Sequence, residues 1–197
     1  MKRRLLYAIP LLAAIALAAG LGGYMAGQNQ TADHAMRVEV YVYKNGELVY
    51  HDPDDPATDN FINIIYSIAS GPQTMTKTDG TTFSGVDTLR YGSRVAVSNG
   101  AITAFTREMY ALPGTVWYSA SPLTIQKNSN ELIMSGTVTV DTATNITWVG
   151  LEFLTDPGTT VDTTTGYWIL VFADPLDQPI HVQQGDVITV VYKIVFP

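Results

Sequence analysis

Residues 38–51 read VEVYVYKNGELVYH, and this stretch decides the fold class. Valine occupies every second position from residue 38 to residue 42, with glutamate or tyrosine between, which is the period-two pattern of a strand with one buried face. Asn45-Gly46 then separates this strand from residues 47–51. A type I′ turn needs positive φ at both central residues, and Asn-Gly adopts it at low cost. The stretch therefore predicts an antiparallel hairpin.

Further strands follow on both sides of short turn sequences. Asp79-Gly80 predicts a second hairpin between residues 75–78 and 81–83. The alternating or apolar runs that predict the remaining strands are residues 91–97, 102–110, 115–119, 132–140, 148–154, 166–172 and 187–196.

A single helix is expected over residues 61–70. Its apolar residues recur at helical spacing, Asp59 precedes it as a cap, and Gly71-Pro72 ends it. About ten short strands with one helix and no strand–helix alternation predict an all-β fold. We expect an antiparallel β-sandwich of the jelly-roll or Ig-like type, preceded by an N-terminal hydrophobic helix.

Composition excludes several kinds of function. The 197 residues include 11 Lys and Arg, 18 Asp and Glu, and no Cys, with a formal net charge of −7. An acidic body repels phosphate backbones, so binding to nucleic acid is not expected. The absence of Cys excludes disulfides, Cys-ligated zinc and thiol nucleophiles.

The first 26 residues have the composition of a membrane-targeting segment. Lys2, Arg3 and Arg4 precede an uncharged apolar run from Leu5 to Ala26. A basic start and an apolar run of this length fit either a cleaved signal peptide or a retained transmembrane anchor. We therefore divide the chain into a signal or anchor at residues 1–26, a polar tether at 27–36 and a β-sandwich domain at 37–197.

Six short segments of the body carry a resemblance to a known group of proteins. They are Val40–Val49, Asn60-Phe61, Tyr91-Gly92-Ser93, Gly150–Phe153, Ile169–Ala173 and Ile180–Phe196. These segments resemble β-sandwich modules of structural and tail-associated proteins of tailed viruses of bacteria and archaea. In plan the chain is also similar to archaeal cell-surface filament subunits. The resemblance implies an assembly or attachment role without active-site residues, and the apolar start favours a cell surface or an enveloped virion.

The N-terminal strand is the candidate assembly element. It follows the polar tether and could complete a neighbour's sheet by strand addition. The candidate residues of this strand are Arg37, Val38, Val40 and Val42. The alternative, which we favour, is that Arg37–Lys44 pairs with Glu47–His51 of its own domain.

Four aspartates form the only cluster with the character of a metal site. They are Asp52, Asp54, Asp55 and Asp59. Calcium prefers carboxylate and carbonyl oxygens on irregular loops, so it is the candidate ion. The spacing lacks the Gly and terminal Glu of an EF-hand, and we favour a solvated turn that leads into the Asp59 cap.

Two adjacent aromatic pairs are candidates for a contact surface: Trp117-Tyr118 and Tyr167-Trp168. Neighbouring residues of a strand point to opposite faces, so one ring of each pair should face outward or toward a partner. The alternative is that these rings fill the sandwich and its rims, where aromatic residues are common. Asn29 and Asn145 begin the two glycosylation triplets.

Together these features predict a non-enzymatic, exported structural protein on the cell surface. We expect it to assemble with copies of itself into a filament, pilus or virion appendage. The alternative is a membrane-anchored, monomeric adhesion or glycan-binding module. An extracellular hydrolase is a third class, for which no residue spacing argues.

Overall fold

The computed structural model describes residues 36–70, 73–84, 88–156 and 167–196. Within these ranges the chain forms eleven strands and one helix. The strands are β1 (Arg37–Lys44), β2 (Glu47–Asp52), β3 (Thr74–Thr76), β4 (Thr82–Ser84), β5 (Thr88–Ser98), β6 (Val116–Tyr118), β7 (Thr124–Lys127), β8 (Glu131–Thr139), β9 (Thr144–Asp156), β10 (Tyr167–Val182) and β11 (Val187–Val195). The helix, α1, spans Asp59–Ser70.

The strands form three antiparallel sheets. Sheet A has five strands in the order β2-β1-β11-β8-β7, and sheet B has four in the order β10-β9-β5-β6. Sheet C is the small β3-β4 hairpin. Buried residues of sheets A and B belong to one hydrophobic core, for example Val40 and Val190 from sheet A with Leu151 and Val171 from sheet B. The expected all-β fold with one short helix is confirmed, and the shared core gives the two larger sheets the arrangement of a sandwich.

The two predicted hairpins are also confirmed. Asn45 and Gly46 have φ values of 50° and 88°, as a type I′ turn requires. Gly80 has a φ of 83° in the turn between β3 and β4. Local turn chemistry alone therefore places both hairpins.

Gly136 lies on β8 where the two sheets approach each other closely. A Cβ at this position would lie 2.5 Å from Leu123 Cδ2 and 2.9 Å from Val95 Cγ2, a side chain of sheet B. Only glycine therefore fits this point of β8 without moving the facing sheet.

The helix is where the sequence predicts it. Asp59 lies in its first turn, where a negative charge favours the helix N-terminus. Phe61, Ile64 and Ile65 are buried in the main core, and the Phe61 ring lies 4.7 Å from that of Phe172 on β10. The helix therefore packs against β10.

The strand predicted at residues 102–110 is wrong. Residues 101–115 form no strand and instead cross the outer face of sheet B. Leu112 is buried there against Trp148 and Leu170, with Phe105 and Met109 partly buried beside them. We call residues 99–115 the strap. The apolar residues of the strap pack on the outer face of sheet B, and the strap does not pair with a neighbouring strand among the described residues.

The signal or anchor predicted at residues 1–26, and the tether up to residue 35, lie outside the described residues. In the described ranges, no helix combines the length and the hydropathy needed to cross a membrane.

Candidate functional site

Sheet A has two uncovered borders. Its terminal strands, β2 and β7, each pair on one side only, and within the described ranges no backbone hydrogen bond reaches their other side. Apolar side chains are exposed along both: Leu48 is 50% exposed and Val49 41% on β2, and Ile125 is 54% exposed on β7. Unpaired strand borders of this kind accept another strand.

The long border of sheet B, which is β10, is covered over part of its length. Ala57 forms an isolated bridge with Phe172 of β10, and the Thr58 backbone N–H donates to the Val171 carbonyl over 3.0 Å. Farther along the same strand, the Thr78 N–H donates to the Trp168 carbonyl over 3.1 Å. The chain itself therefore fills the first part of this border, at residues 168–172.

The candidate assembly strand is an interior strand of sheet A. In β1, Arg37 pairs with Val195 and Lys44 with Ile188, so the whole strand is matched to β11 on one side. On its other side β1 pairs with β2 of the same hairpin. Val38, Val40 and Val42 face the core and are at most 4% exposed. The favoured pairing with Glu47–His51 is therefore present, and strand exchange stays a prediction.

One residue from each aromatic pair meets at a single arginine. The Arg94 guanidinium lies between the Tyr118 ring, 3.6 Å away, and the Trp168 ring, 4.0 Å away. Its Nη2 lies 2.6 Å from Glu152 Oε2 and its Nε donates to the same oxygen over 2.7 Å. Burial raises the pKa of the Glu152 carboxyl, and the charge of Arg94 acts against that rise. Tyr118 is 42% exposed and is the open part of this group.

The other two aromatic residues point elsewhere. Trp117 packs against the main core and its Nε1 donates to Asp141 over 2.7 Å. Tyr167 lies beside Phe83, and the Lys77 ammonium is 3.8 Å from its ring centre. Each pair thus divides between two faces, as the alternation of a strand requires.

The four candidate metal ligands are spread over the connection between the two sheets. Asp52 ends β2, and its Oδ1 accepts the backbone N–H of Asp54, which is exposed. Asp59 pairs with Arg107 at 3.0 Å outside the core. Asp55 differs from the others because it is only 4% exposed, so the expected solvated turn is wrong for this residue.

Residues 53–58, which we call the crossing segment, explain this burial. The Asp55 N–H donates to the Val38 carbonyl of sheet A, and three residues later Thr58 is bonded to sheet B. The segment therefore closes one side of the sandwich, and Asp55 has no hydrogen-bond partner for either carboxylate oxygen. Burial is the main cause that raises the pKa of Asp55 well above its ordinary value.

A second buried carboxyl faces the same region from sheet B. Asp174 on β10 is 3% exposed and accepts a hydrogen bond of 2.8 Å from the Tyr50 hydroxyl of β2. Burial raises its pKa to about 7 although the Tyr50 hydrogen bond lowers it. The Tyr192 hydroxyl on β11 is buried without a partner, and its burial, together with the charges of Asp55 and Asp174, raises its pKa.

Sequence reasoning missed Asp174 and Tyr192. Asp174 follows the apolar run of residues 169–173, where a charged residue is unexpected in a buried strand. Tyr192 is in the apolar stripe of the last strand, and only the packing of β10 across from β1 and β2 brings its hydroxyl near the carboxyls. In the described part of the chain, no three His, Cys, Asp or Glu side chains already converge as a metal site.

The remaining candidates are exposed. Asn145 lies on β9 and its Oδ1 is 3.0 Å from His181 Nδ1, while Asn29 lies outside the described residues.

A polar cavity of about 210 Å³ lies between α1, β3 and the strap. Of its three charged lining residues, Asp59 and Arg107 pair with each other, with 46% and 59% of their side chains exposed, and the third is the exposed Glu108.

Comparison with known proteins gives no match: no protein-family model, no curated protein and no solved structure is significantly similar to the chain.

Proposed function

We propose that the protein is an exported, non-enzymatic structural subunit that assembles with copies of itself through the borders of sheet A. The observation that carries this proposal is that neither border of sheet A is covered by any of the described residues. Joining β2 of one copy to β7 of the next continues the sheet from subunit to subunit. A contact between two different surfaces of the same protein generates a ring or an open polymer.

The charges of the two borders are complementary. Glu47 is exposed on β2, and Lys127 is exposed on β7. The exposed apolar residues Leu48 and Ile125 would be removed from water by the same contact. Charge complementarity and apolar burial both favour a second copy as the occupant of each border.

Strand addition through the N-terminal segment is the other route. Moving β1 alone would break its pairing with both β2 and β11. The tight Asn45-Gly46 turn also ties β1 to β2, and the Asn45 side chain binds Asp186 and the backbone of Val187. An exchange must therefore move the whole hairpin or use residues that precede Met36.

Export rests on the basic and apolar start at residues 2–26. N-terminal sequencing of the native protein distinguishes its two forms: a first residue near Gly27 indicates a released subunit, and an intact Met1 indicates a membrane anchor. The jelly-roll or Ig-like assignment of the sandwich is part of the same proposal.

Two single variants test the borders. We expect Leu48→Lys and Ile125→Lys each to abolish polymers of the full-length protein in electron microscopy, because each introduces a charge into one border. An equimolar mixture should then give dimers and nothing larger, since each variant keeps the border that the other has lost.

Ile102→Lys is the matched control. Ile102 is 47% exposed but lies in the strap, away from sheet A. We expect this variant to assemble like the wild type. A wild-type protein that stays monomeric at high concentration contradicts the assembly role, and polymers formed by Ile125→Lys alone exclude β7 as the contact.

An adhesion module is the second candidate function, and the exposed Tyr118 ring beside Arg94 and Trp168 favours it. An aromatic face next to a cation is a platform on which a sugar ring can stack. Tyr118→Ala should abolish binding on a glycan array. A wild type that binds no glycan leaves this candidate without support.

A further inference from the structure

The side of the sandwich closed by the crossing segment concentrates negative charge. Four aspartates, which we call the acidic cluster, lie there: Asp52 from β2, Asp55 from the crossing segment, and Asp174 and Asp177 from β10. The negative charges of Asp52 and Asp174 act on Asp55, as does that of the exposed Asp54, and the charges of Asp52 and Asp177 act on Asp174. No ion pair between described residues involves any of the four.

Two members of the acidic cluster are buried. Asp55 is 4% exposed, and neither of its oxygens has a hydrogen-bond partner. Asp174 is 3% exposed and has a single neutral donor, the Tyr50 hydroxyl. A buried carboxylate without a cation or several donors is strongly disfavoured, so such a group must hold a proton or meet a positive charge.

A third buried oxygen independently points to a missing partner. The Tyr192 hydroxyl, on β11 in the middle of sheet A, has no hydrogen-bond partner. Tyr192 is fully buried, and the negative charges of Asp55 and Asp174 act on its hydroxyl. Unpaired buried hydroxyls are rare in folded proteins, and each one calls for an explanation.

We propose that a divalent cation of the calcium class binds between Asp55 and Asp174, with Asp52 as the third carboxylate. Calcium takes six to eight oxygen ligands at flexible geometry, and carboxylates supply its charge balance. The two oxygens of Asp55 and the Tyr192 hydroxyl are buried without a hydrogen-bond partner, and Asp174 adds the oxygen that does not accept from Tyr50. Water completes the shell on the side of Asp52, which is only half-buried.

The ligand set differs from the one that sequence spacing indicated. Asp54 and Asp59 face solvent or Arg107 and are not ligands, whereas Asp174 comes from a strand more than a hundred residues later in the chain. The carboxylates do not converge in advance. Binding therefore draws Asp52 and the crossing segment toward Asp174 and fastens sheet A to sheet B. This inference is independent of the assembly role.

Thermal unfolding of the full-length protein at pH 7.5 tests the site. We expect the melting temperature to be about 5–10 °C higher in calcium at a hundred times its dissociation constant than in a chelator. Sodium chloride at the same ionic strength should give no such rise. Terbium, which replaces calcium, should give tyrosine-sensitised emission because the Tyr50 and Tyr192 rings adjoin the site.

Asn substitutions separate the ligands from their neighbours. Asp55→Asn and Asp174→Asn should each abolish both the calcium-dependent rise and the terbium emission. Asp54→Asn removes the same charge from the exposed side of the crossing segment and should keep both signals. Asp52→Asn should weaken binding at least tenfold, and it provides a test at a half-buried position if the variants of buried residues do not fold.

Tyr192→Phe gives a readout of the opposite sign. Without calcium it should raise the melting temperature, because it removes an unpaired buried hydroxyl. The calcium-dependent rise should shrink in the same variant.

The absence of a calcium-dependent rise in the wild type overturns the proposal and shows that the buried carboxyls hold protons instead. Loss of terbium emission in Asp54→Asn to the same extent as in Asp55→Asn also overturns it, because binding is then a property of a generally acidic surface.

Discussion

Sheets A and B share one core but differ in how they meet their surroundings. Sheet B has part of its long border, at residues 170–172, covered by residues 57–60 and its outer face covered by the strap. Sheet A has a charged outer face, where Glu39 accepts a hydrogen bond of 2.6 Å from Tyr41, and both of its borders are uncovered. The described residues therefore shield the outer face and part of one border of sheet B, whereas none of them covers a border of sheet A. Four predictions test this difference, in order of decreasing effect.

Trp148→Ala should show the largest loss of stability. Trp148 lies on the outer face of sheet B, yet it is fully buried beneath the strap and donates from Nε1 to the Ala101 carbonyl over 3.1 Å. Truncation of a buried Trp costs about 3–5 kcal/mol. Urea unfolding monitored by circular dichroism measures it. Ile133→Ala, at a half-buried position on the outer face of sheet A, should cost about 1 kcal/mol. Equal losses would mean that the strap does not form a second core.

Arg94→Met should cost about 3 kcal/mol near pH 7, because it leaves the Glu152 carboxylate buried without its cation. The loss should shrink as the pH is lowered, because burial raises the pKa of Glu152 and favours its protonated form. The double variant Arg94→Met with Glu152→Leu should recover most of the stability. If the loss is the same at pH 5 and pH 7, an unpaired carboxylate is not its cause.

Stability in a chelator should fall as the pH rises from 5 to 7 and level off above pH 7. The folded-state pKa of Asp174 is raised to about 7, so its contribution is fully present below the ordinary Asp pKa and is lost as the pH passes 7. The groups that face Asp174 are Tyr50, Asp52, Asp55, Asp177 and Tyr192. Each proton released costs up to about 1.4 kcal/mol per pH unit.

Asp174→Asn should flatten this dependence when unfolding is measured at each pH. Asp177→Asn, on the exposed part of the same strand, should preserve most of it. A wild-type stability that rises between pH 5 and pH 7 would show that the buried carboxyls are ionised and paired.

Leu48→Lys should have the smallest effect on stability, about 0.5 kcal/mol or less, because half of the side chain is already exposed. Its effect on assembly should nevertheless be complete. Sedimentation measures assembly and urea unfolding measures stability in the same sample. A large loss of stability would mean that unfolding, and not the changed border, explains the loss of assembly.

Local patterns predicted the elements that depend on neighbouring residues. The Asn45-Gly46 hairpin and α1 are in place because their turn, cap and periodicity lie within a few residues of sequence. The strap was mistaken for a strand because its apolar residues contact Trp148, whose partner position is set by sheet pairing. The sequence does not predict β7, because the strand has only four residues, all of them exposed, and lacks an alternating hydrophobic pattern.

For the candidate sites too, the sequence predicted the features that depend on neighbouring residues but not the contacts that depend on packing. Strand alternation correctly separated Tyr118 from Trp117, but it could not indicate that Tyr118 and Trp168 meet at Arg94. Asp55 belonged to a recognisable acidic stretch, whereas its burial depends on the crossing segment passing between the sheets. Asp174 becomes its neighbour only because β10 packs across from β1 and β2.

The pairing of β1 with β11 also sets an orientation. Arg37 lies beside Val195 at one end of sheet A, and the turns at Asn45 and Gly185 lie at the other. If residues before Met36 attach the chain to a bilayer, the end of sheet A that holds Arg37 is the end nearer the attachment, and those turns lie at the opposite end. Copies added at β2 and β7 would extend the sheet across the strand direction, so the attached ends of all copies would lie on the same side of the assembly.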